Sequence, residues 1–288
     1  MTDIRTAAAP SPVRTLVSQL TPMQVTARAV LRGAVIWGVV FGLVTWLEVV
    51  QFAREYPTAA DRQRLVMMMG SNVGLDALFG PSPQIDTVGG YAATHAIGVL
   101  GIAGAIWALL AATRVLRGEE DAGRWEPLLA GATDRRRATA AALGGLAIGY
   151  LVLWTLTAVL FAAAGSQGEA RFSASTVLFA ATATTAAAGL FLAVGALCSQ
   201  VAGNRRQAAA LAAGVFVVAY LIRVVAYSTT SLRWLRWVTP LGWIDETHPF
   251  IRSHWPTLLA VAATTAALLT ATVWLAGRRD LGAGLLPA

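Results

Sequence analysis

The sequence contains no lysine, so all 22 of its basic residues are arginines. The phosphate-binding loop of nucleoside triphosphatases, G-x-x-x-x-G-K-[ST], needs a lysine that reaches the β- and γ-phosphates. Schiff-base chemistry and catalysis by a lysine general base need one as well. The chain is therefore not a standard phosphate-loop ATPase by itself, and enzymes that depend on a catalytic lysine are excluded.

Cysteine and histidine are also scarce. Cys198 is the single cysteine, so an intrachain disulfide and a cysteine-based metal site are both excluded. The three histidines, His95, His248 and His254, are too dispersed to predict a metal or haem site. We expect no metal and no cofactor on this chain. Since the apolar stretches contain no persuasive serine–histidine or paired-acid arrangement, we do not expect an enzyme.

Charged residues make up only 13% of the chain, whereas hydrophobic residues make up 56% and the mean hydropathy is +0.61. Soluble domains average roughly 25% charged and roughly 45–50% apolar residues. This composition predicts an integral membrane protein. The net charge of +7 does not indicate nucleic-acid binding, because the arginines lie at the ends of apolar stretches and form no single basic stripe.

Six stretches approach the length of about 20 apolar residues that a helix needs to cross the hydrocarbon core. They are 33–50, 91–112, 139–164, 176–198, 208–227 and 256–277. We therefore predict an all-α, multi-pass protein of the cell membrane with one domain over 1–288. An even number of spans places both termini on one side, and that side carries most of the arginines. The positive-inside rule then predicts cytoplasmic termini.

A charged segment, 114–137, separates the second and third spans and is predicted to lie in the cytosol. The acids at 119–121 suit the N-terminus of a helix, and Trp125 begins an apolar face. These features predict a short amphipathic helix along the membrane. Pro127 favours two short turns instead, and the same residues also suit a polar loop with good caps.

Two further stretches suggest contact with the membrane surface. Apolar residues repeat along one helical face before Pro22, so that 11–32 is either an interfacial elbow helix or a frayed tail. Trp234, Trp237 and Trp243 crowd the loop before the last span. Tryptophan is enriched at membrane interfaces, and this loop is predicted to rest on the headgroup zone or dip into it, the alternative being an ordinary surface loop.

Several stretches, taken in order, resemble ABC-2 type permeases, specifically actinobacterial antibiotic exporters of the polyketide or tetronasin type. The segment 117–126, followed by Leu-Leu-Ala-Gly131, resembles the cytoplasmic signature of that family. The other matching stretches are Tyr56-Pro-Thr-Ala-Ala60, Ala77-Leu-Phe-Gly-Pro81, Asp86-Thr-Val-Gly-Gly90, Thr239-Pro-Leu-Gly-Trp243 and Gly277-Arg-Arg-Asp-Leu-Gly282. The resemblance covers most of the chain.

The resemblance implies an N-terminal elbow helix, six transmembrane helices, a coupling helix in 114–137 and an outer re-entrant segment before the sixth helix. It also implies that ATP and magnesium are bound by a separate nucleotide-binding subunit. The residues that it assigns to contact with that subunit are Glu119, Glu120, Asp121, Gly123, Arg124, Trp125 and Glu126. Longer relatives fuse two six-helix halves, and the chain resembles the N-terminal half. Its expected partners are therefore the ATPase subunit, an identical or different half-permease, and membrane lipid.

These observations predict the permease subunit of an ATP-driven exporter that moves a hydrophobic or amphipathic, antibiotic-like compound out of the cell. They do not identify the substrate-binding residues. The alternative is an ion-coupled secondary transporter. Such proteins usually carry ionisable groups inside the membrane, whereas Glu48 and Arg223 lie near the outer ends of their spans.

Overall fold

The computed structural model describes residues 12–69, 72–81, 83–125, 134–168 and 170–278, without the side chains of 12–21, His95 and Ile97. The α-helices of these residues are α1 (Pro12–Glu55), α2 (Ala59–Met69), α3 (Val73–Phe79), α4 (Val88–Asp121), α5 (Arg135–Gly165), α6 (Ala174–Val201), α7 (Arg205–Ser228), α8 (Pro240–Asp245) and α9 (Trp255–Ala276). Helix α4 includes two π-helical turns, Ala96–Leu100 and Arg114–Gly118. A 3-10 helix, Thr230–Trp237, precedes α8.

Within the described residues, six helices are long and apolar enough to cross a membrane: α1 from Pro22 onward, α4, α5, α6, α7 and α9. This finding confirms the predicted all-α architecture with six spans. The helices run beyond the apolar stretches because polar caps begin them outside the apolar part. Asp134, Ser173 and Asn204 cap α5, α6 and α7, and each side chain accepts a hydrogen bond from a backbone amide of the first turn.

The described part of the predicted elbow segment, 12–32, belongs to the long helix α1, which continues through Pro22. Proline inside a helix removes one hydrogen bond and costs about 3 kcal/mol, so packing must hold the two parts together. That packing comes from α5. A side chain added at Gly145 would place its Cβ 2.4 Å from the carbonyl oxygen of Met23, so only glycine permits this close approach just after the proline. The first residue of the predicted elbow segment, at position 11, lies outside the described residues.

Helix α6 lies at the centre of the bundle and contacts α4, α5, α7 and α9. Its most apolar stretch is 83% buried, against 17% for that of α9, because these four helices surround it. The many small alanine side chains of α6 allow the neighbouring helices to approach closely. Phe179 and Phe191 of α6 pack in one apolar cluster with Leu109 of α4 and Phe216 of α7. This cluster fixes the relative positions of the central helices.

The loops at the end of the bundle opposite the α4–α5 connection carry the remaining helices. Thr58 and Asp61 form a capping box at the start of α2, since the backbone amide of each residue donates to the side chain of the other at 3.2 Å. Hydrogen bonds from the Thr58 hydroxyl and amide hold the pKa of the Asp61 carboxyl below its ordinary value. In the last loop, Trp234 and Trp237 of the 3-10 helix are exposed, whereas α8 buries its apolar residues in the bundle.

Candidate functional site

The candidate site lies where α4 ends and α5 begins, which we call the arginine-rich end. Helix α4 closes in a Schellman motif: the amide of Arg124 donates to the Glu119 carbonyl at 3.1 Å, and the amide of Gly123 donates to the Glu120 carbonyl at 2.9 Å. Gly123 has a φ of +70°, a left-handed conformation that favours glycine. The glycine therefore turns the chain away from α4 toward residues 126–133, which lie outside the described part.

Glu120 is directed into the protein and is nearly enclosed. Its carboxylate accepts a hydrogen bond from Nη1 of Arg117 at 3.2 Å and one from Nη2 of Arg135 at 2.5 Å. The side chains of Arg117 and Glu120 are 1% and 4% exposed. Because charges removed from water are stable only when they are paired and hydrogen-bonded, the two arginines are what allow this carboxylate to be buried.

Asp121 connects α4 to the start of α7. One carboxylate oxygen lies 3.1 Å from Nε of Arg117, and the other accepts the backbone amide of Arg205 at 2.6 Å. Arg117 also donates to the carbonyl of Gly203 in the α6–α7 turn. A carboxylate at the first turn of α7 is favourable because the unpaired amides of a helix N-terminus carry partial positive charge. Asp121 thus links two helices that are far apart in sequence.

Glu119 and Arg124 form a second ion pair at the surface of the same end. Both Nε and Nη2 of Arg124 donate to the Glu119 carboxylate, the Nη2 bond at 2.7 Å. The Arg124 side chain is 61% exposed, so its outer face is open to a partner. Trp125 is 8% exposed and belongs to a buried apolar cluster that also contains residues of α1, α4, α5 and α6. Glu126 and Pro127, which the sequence also marks, lie outside the described residues.

The position of the three acids differs from the predicted one. They were expected at the N-terminus of a short helix, whereas they occupy the last turn of the long helix α4. Negative charge is unfavourable at a helix C-terminus, and Arg117, Arg124 and Arg135 compensate for it. The roles of Arg117, Arg135 and Arg205 were not predicted from the sequence. Arg117 precedes Glu120 and Asp121 by three and four residues, a spacing that already indicates pairing on one helix face.

A second buried ion pair lies near the opposite end of the bundle. Nε and Nη2 of Arg223 in α7 donate to the two carboxylate oxygens of Asp245 in α8, at 2.6 and 3.0 Å. Both side chains are 3% exposed. Nη1 of Arg223 and the hydroxyl of Tyr220 both donate to the carbonyl of Leu78 at 2.9 Å. One arginine therefore joins α7 and α8 to the end of α3.

Taken together, the contacts at the arginine-rich end connect the last turn of α4, the first turns of α5 and α7, and the α6–α7 turn. Separating α4 from α5 would expose the buried charge of Glu120, and separating α4 from the α6–α7 turn would expose that of Arg117. A force applied to the exposed residues 121–124 would therefore act on several spanning helices at once. No catalytic chemistry follows from this arrangement.

Comparison with known proteins identifies the kind of membrane protein. Residues 32–275 match the family described as multidrug efflux system permease Rv1217c, C-terminal domain. The resemblance of the sequence motifs had instead implied the N-terminal half of a longer permease. The chain is 28% identical over 236 residues to the multidrug efflux system permease protein Rv1217c of Mycobacterium tuberculosis, covering 80% of this chain and 40% of that protein. The chain thus spans less than half the length of that relative. Because the family match extends over most of the helical bundle, the chain belongs to the family of multidrug efflux permease domains.

Proposed function

We propose that the chain is the membrane-spanning permease subunit of an ATP-driven ABC exporter of the ABC-2 type. It moves a hydrophobic or amphipathic, drug-like compound out of the cell. A separate nucleotide-binding subunit hydrolyses ATP, since this chain has no lysine for a phosphate-binding loop. A second half-permease, identical or different, completes the transporter. The family match and the six spanning helices support the efflux role.

The observation that carries the ATP-driven mechanism is the buried ion network of Arg117, Glu120 and Arg135. A permease driven by a partner needs two packings of similar free energy and a site at which the partner biases one of them. The network supplies rigid coupling from one exposed turn to the ends of α4, α5 and α7. With the arginine-rich end in the cytosol, as the positive-inside rule favours, this turn faces the ATPase subunit.

The structure divides the proposed coupling residues into two groups. Asp121, Gly123 and Arg124 retain exposed surface that a partner can contact, whereas Glu120 and Trp125 are buried. We therefore assign partner contact to the first group, with Arg124 as its most exposed charge. Glu120 and Trp125 transmit the displacement inside the permease.

The ion-coupled alternative needs a buried carboxylate that releases and rebinds a proton or cation. Asp245 is buried, but both of its oxygens accept hydrogen bonds from Arg223. A bidentate arginine favours the charged carboxylate and occupies the positions that a cation would take. This geometry favours a structural role for Asp245 over ion coupling.

The test is efflux of an uncharged fluorescent dye from proteoliposomes that contain the chain and the ATPase subunit co-purified with it. Vanadate-sensitive efflux that needs ATP is expected. Efflux abolished by an uncoupler and insensitive to vanadate would instead establish the secondary-transporter alternative.

The contact residue is tested by charge reversal. Arg124→Glu is expected to reduce dye-stimulated ATP hydrolysis, whereas Arg206→Glu, at another exposed arginine of the same end, is the matched control and is expected to leave it unchanged. The swap Glu119→Arg with Arg124→Glu rebuilds the internal pair with its charges exchanged. If the swap restores full coupling, Arg124 has only a structural role and the assignment is wrong.

A further inference from the structure

A cavity of about 340 Å³ lies between three spanning helices, α5, α6 and α9. Its walls are almost entirely apolar. Its lining includes Tyr150 of α5, Thr182 and Gly189 of α6, and Ala262 and Ala266 of α9. The volume falls within the range of roughly 300–1,000 Å³ that is typical of sites for small molecules. The cavity therefore has room for an organic compound of that class.

The chemistry of the walls restricts what the cavity can hold. None of its lining residues is an acid or a base, so an ionised ligand would lose its hydration without gaining a counter-charge. The ring of Tyr150 stands over Gly189, where an added Cβ would lie 3.1 Å from the ring, and its hydroxyl lies 3.2 Å from that of Thr185. An aromatic wall of this kind favours a planar or aromatic, uncharged ligand.

A second space lies along the same pair of helices, α5 and α6. A groove between α5 and the start of α6 is lined by Trp154, Ala158 and Leu178, among others. Trp154 lines the groove, and Thr182 lines the cavity. Nε1 of Trp154 donates a hydrogen bond to the hydroxyl of Thr182 at 3.0 Å. The two bonded side chains thus lie at the boundary between the cavity and the groove.

We propose that the cavity between α5, α6 and α9 binds an uncharged, apolar aromatic compound and that Trp154 separates it from the outer groove. This assignment rests on the proposed efflux function and names the substrate class and its site. The wall is apolar apart from the hydroxyls of Tyr150, Thr182 and Thr265, and each of these already bonds within the protein. The flat aromatic face of Tyr150 is therefore what distinguishes ligands, because a compact aromatic molecule stacks on such a face and a flexible lipid acyl chain does not.

The test uses the full chain in lipid nanodiscs and an uncharged aromatic photolabel, trifluoromethyl(iodophenyl)diazirine. Labelled positions are mapped by mass spectrometry with and without an excess of N-phenylnaphthylamine as competitor. Labelling of α5, α6 and α9 within the cavity is expected to saturate and to be competed. Labelling at Val217 and Val218, exposed apolar residues of α7, is expected to do neither.

Two matched pairs of variants locate the label. Ala262 and Ala266 line the cavity, whereas the exposed neighbours Ala263 and Ala267 of the same helix do not. Ala266→Leu and Ala262→Leu are expected to abolish the competed labelling, whereas Ala267→Leu and Ala263→Leu are expected to preserve it. All four positions are exposed, so the substitutions do not overpack the core.

Two outcomes contradict the proposed site. Labelling of the cavity that does not saturate would mean that lipid chains fill it, and no labelling would mean that a second copy or another helix covers it. Competed labelling of a chain that shows no ATP-dependent efflux would leave the site established and contradict only the proposed function.

Discussion

Nη2 of Arg135 lies 2.5 Å from Oε1 of Glu120, and this contact joins the first turn of α5 to the last turn of α4. It turns Glu120 from a residue expected to face a partner into an internal one. The contact bridges the connection that contains the undescribed residues 126–133. The two helix ends are thereby fixed to each other by a bond that does not depend on the conformation of that connection.

Glu120→Ala is expected to destabilise the protein by about 3 kcal/mol, because it leaves Arg117 and Arg135 without the carboxylate that compensates their buried charge. The measurement is thermal unfolding of the detergent-solubilised protein. Glu119→Ala is the control, and its expected cost is below about 1 kcal/mol because its partner Arg124 is largely exposed. Equal losses for the two variants would contradict the inward role of Glu120.

Gly123→Ala is expected to cost about 1–2 kcal/mol, because a residue with a Cβ is strained at a φ of +70°. Nothing lies within 4 Å of the added Cβ, so the cost is purely conformational. Gly214→Ala is the matched control: it also meets nothing within 4 Å, but it lies inside α7. There the substitution is expected to be neutral or stabilising by up to about 1 kcal/mol. Unfolding midpoints that shift in the same direction would exclude this explanation.

Hydropathy predicted the spans and the α-helical class because it depends on residues close in sequence. The capping box of Thr58 and Asp61 is equally local. The inward direction of Glu120 was not predictable in this way, since Arg135 lies 15 residues away and Gly203 lies 86 residues from Arg117. The pairing of Arg223 with a residue of α8 depends likewise on how the last loop folds back onto α7.

The continuity of α1 illustrates a different limit. Pro22 removes one backbone hydrogen bond from α1, yet the helix continues through it and packs along α5. Gly145→Ala is therefore expected to destabilise the α1–α5 contact, because its Cβ would lie 2.4 Å from the Met23 carbonyl. Gly144→Ala is the control, since its Cβ would meet only the flexible Met23 side chain at 3.3 Å. If proteolysis near Pro22 accelerates equally in both variants, backbone contact is not what holds the helix.

The lowered pKa of Asp61 predicts a pH dependence of α2. A carboxylate whose pKa is lower in the folded state contributes stability above its unfolded pKa of about 4. This contribution is lost as the pH falls through the folded value. The measurement is amide hydrogen exchange in the first turn of α2, compared with the variant Thr58→Ala at each pH. Protection is expected at pH 6, which is about two units above the unfolded pKa, and it is expected to decline in acid. Protection that persists in acid would contradict the carboxylate's role.

Asp245→Ala is expected to destabilise the protein by about 3–5 kcal/mol, because it leaves the buried guanidinium of Arg223 without a counter-charge. The double substitution Arg223→Met with Asp245→Leu removes both charges and is expected to recover most of that loss, since apolar replacement of a buried pair is often neutral. The remaining cost reports on the hydrogen bond from Arg223 to the Leu78 carbonyl.

Unfolding temperatures of both single variants and the double variant give the coupling energy. If the double variant is as unstable as the sum of the single ones, the two residues do not act as a pair. If it is stable and still exports dye, the ion pair positions α8 without taking part in ion coupling.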